Sequence, residues 1–394
     1  MKSCGVIVEY NPFHNGHLYH LEQAKKTTNC DVLIAVMSGN FLQRGEPALV
    51  DKWTRAEIAL NHGADLVIEL PVQFSVQSAD YFAKGGVALL QALNCDSLCF
   101  GSEEGTGADF KRLAHQVEAK QAVIDEAFQS FKNNGSSYPV QMNQAIKSVL
   151  PTHSIDLMQP NNMLGFSYAK EILKAQSSME IKTVKRHLAQ FHDESIEEKT
   201  IASATAIRKE LFNPSDSFEE IQKVVPEDVF QFISTTEYVD WENYWEFLKY
   251  RVTTMSLSDL RGIYQVNEGL EFRLKEKVKE AFDFNEFIQL IKSKRLTWVK
   301  IQRLCCYILL NLTKVEMAEK VKQVEAIRVL GFTKKGQEYL KIKKKQLEIP
   351  LITNINQKNQ HLVDLDIRAG FVYQMGKTDQ KINQDYRRYP IRKK

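Results

Sequence analysis

Two histidines bracket a glycine close to the N-terminus, in His14-Asn15-Gly16-His17. Each imidazole can donate a hydrogen bond, and a glycine between them lets an anion approach the backbone without meeting a side chain. The pattern suits phosphate if it opens a helix. There the first N–H groups lack intrahelical partners and the dipole favours negative charge. The flanking residues predict that setting. Gly5-Val6-Ile7-Val8 reads as a buried strand, Asn11-Pro12 and Asn15-Gly16 mark a turn, and Leu18, Leu21 and Ala24 fall on one helical face. The chemistry such a site serves is phosphate handling, which needs positioning and stabilised charge more than covalent help from the protein. The blander alternative is that both histidines merely cap the helix.

The elements that must carry this site follow in order. Apolar strands are expected at Asp31–Gly39, Asp65–Leu70 and Asp96–Gly101, with helices near Lys52–His62 and Ser78–Leu93 between them. Apolar strands alternating with helices predict a Rossmann-like parallel sheet covered on both faces, with ligands beyond the C-terminal strand ends. The HxGH turn, the polar loop Gly39–Pro47 and Gly101 all fall at those ends. Helical pattern follows from Gly105 to Ser177, broken at Gly135-Ser136-Ser137 and Pro151-Thr152. A fifth strand is expected at Glu180–Arg186. Ser203 is placed to cap a helix that ends near Phe212-Asn213-Pro214. We expect a catalytic domain over 1–215 and a mainly helical, basic domain over 216–394, the join lying between Asn213 and Pro226. A short strand at Ile349–Thr353, a last helix at Asp364–Met375 and a loose tail after Lys377 complete the outline.

Composition bounds the classes of function. A chain of 394 residues is long for one core, and 43% hydrophobic with 26% charged residues is the balance of a soluble globular protein. Apolar runs are too short to span a membrane. Met1-Lys2-Ser3-Cys4 leads straight into a core strand with no signal peptide ahead, so a cytoplasmic location is expected. The six cysteines (Cys4, Cys30, Cys95, Cys99, Cys305 and Cys306) form no CxxC pair and are expected to be reduced and mostly buried. Neither an HExxH motif nor a Cys/His cluster is present, so no protein metal site is expected. His62, His115, His153, His192 and His361 take structural readings, whereas His20 fits a helix face or a ligand contact equally.

The run Val8-Glu9-Tyr10-Asn11-Pro12-Phe13-His14-Asn15-Gly16-His17 resembles the N-terminal block of the tRNA(Met) cytidine acetate ligase family, within the HxGH nucleotidylyltransferase superfamily. The similarity runs from the first strand to near the C-terminus. It implies that ATP lies along Ile7-Val8-Glu9-Tyr10-Asn11-Pro12-Phe13-His14-Asn15-Gly16-His17-Leu18-Tyr19-His20, with His14 and His17 on its phosphates. Ser203, Thr205 and Arg208 match the superfamily's second motif, whose hydroxyls, N–H groups and guanidinium receive phosphate and pyrophosphate charge. Asn162 and Arg186 match further nucleotide contacts of the family. His187-Leu188-Ala189-Gln190-Phe191 departs from the smaller, glycine-rich run expected after Arg186. Gly101 is expected beneath the adenosine or ribose, with a simple turn glycine as the alternative. The catalytic assignment is His14, His17 and Arg208, with Mg²⁺ bound chiefly by ATP phosphates.

Other charged residues divide less cleanly. Arg44, Lys52 and Arg55, around the Gly39–Pro47 loop, are candidates for phosphate or carboxylate, with an ion-paired surface helix as the alternative. Arg295, Lys300, Arg303, Lys334, Lys335, Lys343 and Lys344 lie among aromatics in the last third, a composition that fits RNA. The resemblance implies a two-step ligase. Acetate and ATP give acetyl-adenylate and pyrophosphate, and the acetyl group passes to N4 of the wobble cytidine of elongator tRNA(Met). Two rivals share the fold: a small-molecule adenylyltransferase, which gives the basic C-terminal part no task, and a non-catalytic RNA-binding protein, which would tolerate loss of His14 and His17. No feature of the sequence fixes an oligomeric state.

Overall fold

The computed structural model describes residues 1–132, 138–186, 201–212, 218–267, 269–379 and 384–394. The expected breaks at 135–137 and 213–214, the departure at 187–191 and His192 lie outside them.

Strands β1 (Ser3–Val8), β2 (Val32–Ser38), β3 (Leu66–Leu70), β4 (Ser97–Ser102) and β5 (Glu180–Lys185) run parallel in the order β5-β4-β1-β2-β3. They form the Rossmann-like α/β layer that the alternation predicts. Side chains alternate between the two faces, as a period of two requires. Val32, Ile34 and Val36 with Leu66, Ile68 and Leu70 point to one face. Leu33, Ala35 and Met37 with Val67 and Cys99 point to the other. The first face is covered by the helices Ala79–Ala92 and Pro160–Lys174, through Phe82, Val87, Leu90, Phe166 and Ile172. Asn15–Thr28 and Lys52–Asn61 cover the second, through Leu21, Ala24, Trp53, Ala56 and Leu60. Each Val, Leu, Ile or Phe so buried is worth about 1.5–3 kcal/mol.

Strands from the last third of the chain complete the sheet. β6 (Ile327–Phe332) pairs antiparallel with β3, and β7 (Leu351–Ile352) and β8 (Ile391–Arg392) both pair parallel with β6. The expectation of a mainly helical domain over 216–394 does not place β6, whose apolar run is buried throughout. The helix Asp364–Met375 forms as expected but is not the last, since a helical turn, Gln384–Arg387, follows it. The tail after Lys377 is not loose where it is described. Ile391 pairs with Gly331, and the side chain of Asp385 is buried against Lys52, 2.7 Å from its Nζ.

A separate helical core contains Trp241, Trp245, Phe284, Phe287, Ile301, Tyr307 and Tyr373, and reaches into the sheet layer through Phe41, Val72 and Val76. The loop after β2 is gripped by these helices. Trp241 Nε1 donates to Gly45 O at 2.8 Å, Arg303 Nε to Gln43 O at 2.6 Å, and Tyr373 Oη to Ala48 O at 2.8 Å. Gly45 has φ +76°, and a Cβ there would run into the backbone nitrogen of Arg303, so glycine is required on both counts. All six cysteines are free thiols, and all but Cys30 are buried. No described helix is long and apolar enough to cross a membrane.

Candidate active site

A cleft of about 540 Å³ opens over the C-terminal ends of β1, β4 and β5. Its phosphate-like end is built by His14 and His17. His14 occupies the N-cap of the helix Asn15–Thr28, where its Nδ1 accepts from Gly16 N–H at 3.1 Å, and His17 Nδ1 accepts from His14 N–H at 3.3 Å. The rings stack with centroids 3.7 Å apart. A neutral imidazole that accepts at Nδ1 carries its proton on Nε2. The cap therefore fixes both rings as Nε2–H donors, so the capping and ligand-binding readings are one arrangement. Gly16 is needed for it, since a Cβ there would lie 2.9 Å from His14 Cε1.

Burial pushes the His14 pKa down to about 3, and Arg186 and Arg208 push the same way. His17 is held well below the usual value by burial, then by His14, His20 and Arg186. Burial and Arg186 bring His20 to about 4, and its Nε2 is sealed without a hydrogen-bond partner. A neutral donor pair beside two guanidinium groups is an anion seat that needs no protonation near neutral pH.

The second motif faces the first. Ser203 Oγ caps the helix Ala204–Phe212 by accepting from Ala206 N–H at 3.1 Å. Ile201 Cγ2 lies 3.4 Å from where a Gly16 Cβ would be, so the two motifs abut. Arg208 donates to Asn11 O at 2.7 Å and pairs with Glu46 at 3.1 Å, half-buried at the cleft wall. Its guanidinium thereby joins the first turn, the Gly39–Pro47 loop and the second motif.

The other end of the cleft is mostly apolar, lined by Phe82, Phe100, Met163, Leu164 and Tyr168 beside Gly101. A Cβ at Gly101 would meet Arg186 methylenes at 3.4 and 3.7 Å and the Val184 carbonyl oxygen at 4.0 Å, all ordinary contacts. Packing within the protein does not demand glycine there, and the space above it belongs to the cleft.

Of the predicted nucleotide contacts, Ile7, Val8, Glu9, Tyr10, Asn11, His14, Gly16, His17, Tyr19, His20, Gly101, Arg186, Ser203, Thr205 and Arg208 line this one cleft. Pro12, Phe13, Asn15 and Leu18 do not; Phe13 packs between Tyr10 and His62 instead. Asn162 is fully buried behind the wall. Its Oδ1 accepts from Glu103 N–H at 3.1 Å and its Nδ2 donates to Asp156 O at 3.1 Å, while the neighbouring Asn161 lines the cleft. The reading of residue types missed Phe82, Phe100 and Tyr168. Phe100, next to Gly101 at a strand end, was the available clue.

Of the three cations around the loop, Arg44 lines the cleft. Lys52 is buried in ion pairs with Glu69 at 2.6 Å and Asp385 at 2.7 Å, which outweigh the burial that opposes its charge. Arg55 spends its guanidinium on the carbonyls of Val50, Glu9, Ser38 and Gly39. Neither Lys52 nor Arg55 offers a ligand site. The C-terminal basic residues separate too. Arg303 lines the cleft, with Val299 of the same helix beside it, and Arg295 and Lys300 are exposed just before and within that helix. Lys334 and Lys335 begin a helix capped by Thr333, which bonds Asp65 just ahead of β3; Lys343 lies with Lys2 and Asp96 near the starts of β1 and β4. Those lysines and the adjacent Lys344 thus sit at the opposite end of the sheet from the cleft.

Two helix N-termini and paired histidines over the ends of a parallel sheet define a nucleotidyl transferase of the HxGH class. The HIGH Nucleotidyl Transferase family matches residues 1–388. A tRNA(Met) cytidine acetate ligase of Halalkalibacterium halodurans is 42% identical over 100% of this chain and 97% of its own length, and one of a Geobacillus species is 44% identical over 95% and 94%. Thermotoga maritima TmcAL has the same fold. Its apo crystal structure superposes with a TM-score of 0.90 at 33% identity, covering 100% of this chain and 99% of that one. The form bound with alpha-thio ATP gives 0.88 at 32% identity, with both chains covered in full. The chain belongs to the tRNA(Met) cytidine acetate ligase family.

Proposed function

We propose that the protein is an ATP-dependent ligase that acetylates N4 of the wobble cytidine of elongator tRNA(Met), through acetyl-adenylate. The observation that carries this reading is the joining of both phosphate-handling motifs with an apolar slot in one cleft, in a chain that matches the named ligases end to end.

ATP fits the cleft by chemistry. The adenine faces Phe100, Leu164, Met163 and Gly101. The phosphates meet the Nε2–H groups of His14 and His17, Arg186, Arg208 and the N-terminal N–H groups beyond Ser203. An acetate oxygen attacks the α-phosphorus, the bond to the β-phosphate oxygen breaks, and pyrophosphate leaves. Acetate is already ionised and needs no base for this step, only relief from repulsion by ATP, which the cations supply. The N4 amine then attacks the acetyl carbonyl, and AMP leaves. Activating acetate as a mixed anhydride suits so weak a nucleophile.

Among the described residues no group of three or more His, Cys, Asp or Glu side chains could hold a metal ion. Mg²⁺ would be held mainly by ATP phosphates, neutralising their charge. The RNA is assigned to the mainly helical part after residue 215, entering past Arg295, Lys300 and Arg303, and a cytoplasmic location follows from that substrate. The test is exchange of labelled pyrophosphate into ATP by the full chain. Acetate-dependent exchange supports the reading, whereas exchange that ignores acetate contradicts it.

A further inference from the structure

Acetyl transfer requires N4 to lose a proton, and few groups in the cleft can take one near neutral pH. His14 and His17 use their Nδ1 lone pairs on backbone N–H groups and carry protons on Nε2. His20 Nε2 is sealed. Burial holds the phenols of Tyr10 and Tyr168 protonated, with Glu9 adding to the effect at Tyr168. Of the two carboxylates in the lining, Glu46 is engaged by Arg208 at 3.1 Å.

Glu9 remains. It follows the last residue of β1, half-buried in the cleft wall. Its Oε1 is anchored by Gln43 N–H at 2.8 Å and by the Ser38 hydroxyl at 3.3 Å, whereas Oε2 accepts no hydrogen bond from a described residue. One oxygen is fixed by the protein and the other is left for a ligand, the arrangement a positioned base requires. A carboxylate is also the acceptor that pairs with the exocyclic amine of cytosine.

We propose that Glu9 is the catalytic base of acetyl transfer, its Oε2 first accepting a hydrogen bond from the cytidine N4 amine and then its proton. The N4–C bond forms, the bond from the acetyl carbon to the AMP phosphate oxygen breaks, AMP leaves with that electron pair, and the proton passes from N4 to Glu9. This deepens the ligase reading and rests on it. The surroundings tune the group. Burial raises its pKa above the usual carboxylate value; Gln43 N–H opposes, Glu46 adds, and Arg44 and Arg55 oppose. Arg303 and Tyr168 face it from the two neighbouring helices. A base in this state is active when ionised, so transfer rises with pH through its titration and then levels.

The test follows acetyl transfer from synthetic acetyl-adenylate to unmodified tRNA(Met) in single turnover, at roughly pH 5 to 8, beside acetate-dependent pyrophosphate exchange by the same preparations. Glu9→Gln should lower transfer at least ~100-fold more than exchange and abolish the acidic limb of the transfer profile. Glu9→Asp should keep a limb at a shifted pH, and carries the test if the glutamine variant does not fold. Transfer and exchange falling by the same factor, or a limb unchanged in either variant, would overturn the proposal. Wild-type protein that transfers no acetyl group would instead remove the ligase reading beneath it.

Discussion

At the residue scale the site is organised by what each lone pair already does. His14 and His17 accept helix N–H groups on Nδ1, so they face the cleft as neutral Nε2–H donors. Their depressed pKa values set the sign of a stability effect. The unfolded chain takes up histidine protons near pH 6.5, while folded His14 and His20 refuse them until about 3 and about 4. Their contribution is therefore complete above the unfolded value and lost as pH falls through that window. The melting temperature should drop between pH 7 and pH 4, and less steeply in His14→Gln; equal slopes would contradict the assignment. The same scale shows what residue type conceals. Asn161 and Asn162 are equally suited to a nucleotide, yet one residue along a helix turns a side chain by about 100°, and only Asn161 reaches the cleft. Arg55 reads as a ligand cation because its sequence cannot reveal that four backbone carbonyls consume it.

At the scale of elements, β1 to β4 were legible as apolar runs closed by a turn, and β5 as a short alternation of Ile181, Thr183 and Val184 with charged residues. The site at their C-terminal ends was legible for the same reason. β6 and β8 were not. β6 lies among charged helices with its partner β3 more than 200 residues away, and β8 is two residues in a polar tail, so both pairings are tertiary facts. The loop after β2 is likewise shaped from a distance, by Trp241, Arg303 and Tyr373. Arg55 holds the near side of that loop. Arg55→Met would strand the carbonyls of Glu9, Ser38, Gly39 and Val50, and should cost roughly 3 kcal/mol or more in urea denaturation. Arg55→Lys should recover little, since an ammonium cannot reproduce the planar fork. A loss below ~1 kcal/mol would mean that the network is dispensable.

At the scale of the whole molecule, the C-terminal segment is bound to the sheet layer by buried charge. Lys52 sits between Glu69 and Asp385, and Arg328 Nη2 donates to Asp385 O at 3.0 Å. Polar tails are usually solvated, which is why composition made this one look loose. Removing one partner of a buried pair leaves an uncompensated charge. Asp385→Ala should therefore destabilise the protein by about 3–5 kcal/mol, read as a shifted denaturation midpoint with an unchanged slope. A midpoint that does not move would show the contact to be incidental. The helical part, held against the same loop, brings Arg303 to the cleft, so the surface assigned to RNA and the adenylation site share a wall.

The central claim is that one cleft activates acetate and delivers it to RNA. Its most direct test is to incubate the full chain with ATP, Mg²⁺, labelled acetate and unmodified bacterial tRNA, then digest the RNA and identify labelled nucleosides by mass. The account predicts labelled N4-acetylcytidine, abolished in His14→Ala and His17→Ala. Unlabelled RNA with ATP consumed on a small-molecule acceptor, or label that persists in both histidine variants, would contradict it.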